Sequence, residues 1–176
     1  MNFNLRQAIE ILEKTPDVLF SQLSALNDEW IYCNEGENTW SVFDILGHLV
    51  HGEKADWMNR IHIILSESEE KTFTPFDRFA QYEDSKRKTI HDLLEEFKTL
   101  RNKNLIALST LKISENDLLK TGIHPNFGEV TLAHLLSTWV VHDLNHLSQI
   151  NRVMAKRLID DVGPWVEFLP ILKANK

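Results

Sequence analysis

The chain has 176 residues, of which 43% are hydrophobic and 26% charged, and a formal net charge of −7. That length suits a single domain, residues 1–176, able to bury a core without staples, and the acidic balance excludes a nucleic-acid partner, because phosphate binding needs clustered Lys and Arg. A lone Cys33 excludes an internal disulfide, the N-terminus lacks an apolar signal core, and no stretch approaches the ~18 apolar residues of a membrane span, so the expectation is a cytoplasmic protein with no membrane partner.

Six glycines and five prolines fall between periodic segments, which predicts an all-α chain. The first helix starts near Asn4 and is expected to break at Thr15-Pro16, where Thr can cap and Pro can take the first helical position, before resuming to residue 26. After a polar loop at 34–39, a second helix opens at Ser41, with Asp44 three residues on as a capping partner, and runs to about Leu65. This helix carries His48, His51 and Glu53. His48 lies well off the apolar stripe of Phe43, Leu46, Val50, Trp57 and Ile61, although Gly52 and Ala55 leave room beside it. Spacing does not choose between His48 and His51. Glu53 lies nearer the stripe and reads as a ligand, a partner of a ligand or a rim charge.

A loop from Ser66 to Asp84 leads to a third helix over Ser85–Leu111, with Leu93, Leu94, Phe97, Leu100, Leu105 and Leu108 on its apolar face. The segment from Leu111 to Val130 reads as loop, with Pro125 and Gly128 as breakers. The fourth helix begins after Thr131, a suitable N-cap, and continues to about Arg157. The remaining tail is too short and interrupted to form a main element. Four long helices of similar length make a four-helix bundle.

The fourth helix carries the chemistry. Its stripe runs Leu132, Leu135, Trp139, His142, His146, Gln149 and Val153. Two imidazoles four residues apart project from adjacent turns of one face, the spacing used to bind one metal ion from a helix. Two histidines bonded to neighbouring helices would satisfy the same spacing. The segment HDLNH fails as a zinc-protease motif: Asp143 stands where the catalytic Glu would, and His142 and Asp143 are about 100° apart around the helix. His62 is about 21 Å along its helix from His48 and cannot share an ion with it. His62, His91, His124 and His134 read as ordinary surface or core histidines, and Cys33 as a packed thiol.

Several segments together resemble the DinB/YfiT-like family of bacterial four-helix bundles. These are Trp40-Ser41, then Gly47-His48-Leu49 with Glu53 downstream, then His124-Pro125 and Phe127-Gly128-Glu129-Val130-Thr131-Leu132. The last is Trp139-x-x-His142-Asp143-x-x-His146 with Gln149-Ile150. The resemblance spans nearly the whole chain. It implies an up-down-down-up bundle, often dimeric, with His48, His142 and His146 as metal ligands. It thereby selects His48 over His51.

Three neutral imidazoles leave coordination positions open, as catalytic sites do, and suit zinc or nickel. Gln149, one turn past His146, is placed to orient a ligand, and Glu53 is the other such candidate. The functions implied are a metal-dependent enzyme that transfers a small thiol to an electrophilic small-molecule substrate, or a metal-dependent hydrolase that activates water. A non-enzymatic, stress-related or dimerising bundle with a structural metal is the third reading.

Overall fold

The computed structural model describes residues 3–173. Helix α1, Leu5–Leu23, is capped by the Asn4 side chain, which accepts from the Gln7 N–H. It runs unbroken through Pro16, against expectation. Proline removes the N–H that Leu12 would normally receive. The vacated Leu12 carbonyl accepts instead from Arg101 Nη1, at 2.9 Å, so the break is unnecessary.

A short α2, Asp28–Ile31, precedes α3, Val42–Ala55, whose start is the expected Ser41–Asp44 capping box. The expected single helix divides at Asp56, with ψ −74°, and resumes as α4, Trp57–Leu65. A short α5, Gln81–Asp84, lies within the expected loop. Helix α6, Ile90–Thr110, begins later than expected, because Thr89 and Asp92 form its capping box. The chain reverses just before it, with Arg87 in the left-handed region at φ 66°.

After α7, Glu115–Leu118, the expected loop is instead an antiparallel hairpin of β1, Thr121–His124, and β2, Gly128–Thr131. Gly128, at φ 72°, makes the turn possible. The hairpin also holds the preceding segment: Phe73 donates to the Ile123 carbonyl at 2.9 Å, and Ile123 donates to the Lys71 carbonyl at 2.8 Å. Helix α8, Leu132–Lys156, is capped by Thr131 as expected. A 3-10 turn, Gly163–Phe168, and α9, Pro170–Lys173, end the described chain.

The bundle ring runs α1, α6, α3, α8, with α4 extending α3. Side-chain contacts fix the directions. Arg101 reaches Glu53, while Leu93 and Phe97 share a core with Val42 and Leu46, so α3 and α6 are parallel. Gln22 reaches Asn151, and Leu12 packs in one cluster with Leu135 and Trp139, so α1 and α8 are parallel. Trp57 stacks on Trp139 and His48 meets His142, so α3–α4 and α8 are antiparallel. This is the up-down-down-up order.

The core has two apolar clusters, one around Leu12, Ile61, Leu108 and Trp139, the other around Leu19, Leu46, Phe97 and Ile150. A buried polar layer of Arg101, Glu53, Asp143 and Asn104 lies among the four main helices. Helix α3 is buried over Ile45–Glu53 without interruption, because α5 covers the side that α6 and α8 leave open. That coverage resolves the awkward projection of His48. No described helix is long and apolar enough to cross a membrane.

Candidate metal centre

Helix α8 places His142 and His146 on adjacent turns, and antiparallel α3 brings His48 opposite them. His142 Nε2 lies 3.1 Å from His48 Nε2 and 3.1 Å from His146 Nε2. The nitrogens of all three lie within 4.8 Å of one another. Two imidazole nitrogens bound at about 2.0–2.1 Å to one tetrahedral ion would stand about 3.3 Å apart. Both 3.1 Å spacings are close to that value, and with the third pair inside 4.8 Å the three rings can converge on one divalent ion.

The protonation chemistry agrees. Burial pushes the His48 pKa down to about 3, helped by His146, His51 and Arg78. Burial likewise pushes His142 down to about 2, with His146, His48 and Arg101 adding to it. His146 is also lowered by burial, against the opposing pull of Gln149 and Asp143. All three rings are thus neutral at neutral pH, the form that coordinates. Gln149 Oε1 stands 2.7 Å from His146 Nδ1. A proton donated across that contact leaves the Nε2 lone pair directed at its neighbours.

Aromatic rings enclose the cluster. Trp40 lies 4.8 Å from the His48 ring and 6.3 Å from the His146 ring. Phe76 stands edge-on to His48, and Trp57 edge-on to His142. The Nδ1 atoms of His48 and His142 are buried without a hydrogen-bond partner.

Glu53 is turned elsewhere. Its Oε1 accepts from Arg101 Nη2 at 2.9 Å and Trp139 Nε1 at 3.0 Å, and its Oε2 accepts from Asn104 Nδ2 at 2.9 Å. Asp143 takes both Arg101 amino groups, at 2.6 and 2.9 Å. Burial opposes the Arg101 charge, but Glu53 and Asp143 overcome it and raise its pKa. Glu53 therefore belongs to the bundle's buried ion network, which adjoins the histidines through Trp139 and Trp57.

His51 is occupied by Asp84, whose Oδ2 lies 3.0 Å from Nδ1. His62, His91 and His134 are exposed, and His124 stacks on Phe127. Cys33 donates to the Trp30 carbonyl, and burial raises its pKa.

Arg101, Asn104 and Asp143 were missed as buried groups, although a signal for them exists. Leu94, Phe97, Arg101, Asn104 and Leu108 continue one three-four spacing, and Trp139, Asp143, His146 and Ile150 another. Polar residues lying on such a stripe are buried with it.

A cleft of about 600 Å³ adjoins the histidines, lined by Trp40, Gln149, Arg78, Phe79, Tyr82 and the Glu35–Arg152 pair, among others. Trp40 and Gln149 are shared by cleft and cluster.

A family model described as the DinB superfamily matches residues 11–150. Among solved structures, the chain is similar to YfiT from Bacillus subtilis. The TM-score is 0.73 at 20% identity, with 87% of each chain covered. That protein is described as a probable metal-dependent hydrolase with an unusual four-helix bundle topology. TT2238, described as a four-helix bundle protein, matches at TM-score 0.50 and 20% identity, with coverage of 84% of this chain and 98% of that one. No curated protein sequence matches this chain.

Proposed function

The chain belongs to the DinB superfamily, and from that premise we propose that it is a metal-dependent enzyme that transfers a small thiol to an electrophilic small molecule. The observation that carries the reading is the convergence of three neutral imidazole nitrogens beside an open cleft, with no carboxylate among the described residues joining the cluster. His48, His142 and His146 would hold the ion, zinc or nickel by the chemistry of an all-nitrogen donor set. When bound, the ion lowers the pKa of a thiol or water in its open position.

The protein's own residues do the rest. Gln149 holds His146 in the coordinating tautomer. Trp40 and Phe76 cover the imidazoles and restrict water around them. Both nearby buried carboxylates, Glu53 and Asp143, are committed to Arg101. Neither can serve as general base. On a metal ion a thiol is deprotonated outright, whereas bound water titrates near 7 and its attack still needs a group to move protons, which a site with no free carboxylate does not supply. This supports the thiol reading over hydrolysis.

Hydrolysis is the second reading, favoured by the likeness to YfiT. We further propose a cytoplasmic homodimer that acts without membrane or nucleic acid; the net charge of −7 supports the last point.

The test is to incubate metal-loaded protein with panels of electrophiles and of esters and amides, with and without small thiols. Consumption of an electrophile that requires thiol and saturates with it is the expected result. Ester or amide turnover without thiol, inhibited when thiol is added, would replace this reading with the hydrolase.

A further inference from the structure

We propose that the cleft beside the three histidines is a subsite for the anionic head of a small-molecule ligand, with Arg78 as the residue that recognises it. The inference rests on the reading of that cleft as the substrate site.

Charge is the first observation. Glu35 is the acidic residue lining the cleft, and its carboxylate is consumed. Arg152 clasps it with Nε at 2.9 Å and Nη2 at 2.8 Å, and Lys156 Nζ lies 3.0 Å from Oε1. The Glu35 side chain is only 3% exposed. Among the charged residues lining the cleft, Glu35 and Arg152 cancel and Arg78 leaves one excess positive charge, in a chain whose net charge is −7. A local field of that sign raises the concentration of anions at the cleft.

Geometry is the second. Arg78 is exposed and makes no ion pair or hydrogen bond among the described residues. Its guanidinium lies 5.1 Å over the centre of the Phe79 ring, which holds it along the wall. A guanidinium with its donor fork free matches a carboxylate or phosphate.

The third observation is the aromatic wall. Phe79 and Tyr82 are 59% and 45% exposed and lie nearly parallel, and Trp40 forms the side toward the histidines. Exposed rings flanking an unpaired cation suit a ligand with an apolar body and an anionic end.

The test is a ligand-observed NMR titration with 3-phenylpropionate and its uncharged analogue 3-phenylpropionamide. It is run at low ionic strength on zinc-loaded and metal-free protein, and on Arg78→Gln. The carboxylate should bind about tenfold more tightly than the amide in both metal states, the increment of a charge-assisted over a neutral hydrogen bond. Arg78→Gln should bring the two probes to near parity with amide binding unchanged, and Arg78→Lys should restore part of the preference.

Equal binding of the probes, no saturable binding of either, or a preference that survives Arg78→Gln would overturn the proposal. A preference seen only in zinc-loaded protein would also overturn it, because the carboxylate would then be sitting on the ion. Zinc content measured on the same samples reports on the histidine site separately, so the two readings can fail independently.

Discussion

His146 has a polar neighbour one turn away. Gln149 Oε1 lies 2.7 Å from its Nδ1, and a proton held on Nδ1 would leave the Nε2 lone pair for an ion. Replacing Gln149 with Leu keeps the size and removes the acceptor. Metal affinity is expected to fall about 10–100-fold, as for other losses of a ligand's hydrogen-bond partner; competition with a chromogenic chelator would measure it, and unchanged affinity would refute the role. Acid should also destabilise the metal-free fold. The unfolded imidazoles titrate near 6.5, while burial holds His48 at about 3 and His142 at about 2 when folded. Between those values the unfolded chain takes up protons that the folded one refuses. Stability is therefore full above about pH 6.5 and falls as pH drops toward 3, by up to about 1.4 kcal/mol per pH unit for each such histidine. Urea denaturation of metal-free protein at pH 7.5, 6 and 4.5 should show the decline, and it should be shallower in His142→Gln. At this scale the paired histidines of α8 were legible because four-residue spacing is a direct consequence of helix geometry. Choosing His48 over His51 was not, because which face of α3 meets α8 depends on tertiary contacts.

The elements are tied together by polar residues placed where apolar ones would be usual. Arg101 of α6 bridges the Leu12 carbonyl of α1, Glu53 of α3 and Asp143 of α8. Arg101→Met would leave two buried carboxylates without their cation. Breaking a buried pair by removing one partner is expected to destabilise by about 3–5 kcal/mol, a large share of a domain's stability; urea denaturation measures it, and a loss below about 1 kcal/mol would contradict the assigned network. Gly122 of β1 is a second junction. A Cβ there would stand 2.5 Å from Phe73 Cε1 and 2.9 Å from Ile64 Cγ1. Gly122→Ala should therefore cost about 1–3 kcal/mol by overpacking, read as a lower unfolding midpoint. It should also disturb the 71–76 segment that carries Phe76 to His48. The four long helices were legible from their periodicity and caps. Ser41 and Thr131 mark true starts, but Pro16 does not break α1, because its missing hydrogen bond is offset by a residue 85 positions away in sequence. The hairpin escaped notice because its strands are four residues each, too short for alternation to be visible.

For the whole molecule, the up-down-down-up order makes α3 and α8 antiparallel neighbours, and that pairing alone brings residue 48 against residues 142 and 146. The order itself could not be read from helix count or loop length; it followed from family resemblance, and the structure supports it through the Trp57–Trp139 and Gln22–Asn151 contacts. An ion that binds only the folded chain stabilises it by mass action, so zinc should raise the unfolding temperature and a chelator should lower it. Metal stoichiometry after zinc loading and exhaustive dialysis tests the three-histidine site, for wild type, His48→Ala, His142→Ala, His146→Ala and His51→Ala. One tightly held ion per chain is expected in wild type and in His51→Ala, and none in His142→Ala or His146→Ala, with severe loss in His48→Ala. Wild type that retains no zinc, or a His142→Ala protein that retains it while His51→Ala loses it, would contradict the three-histidine site.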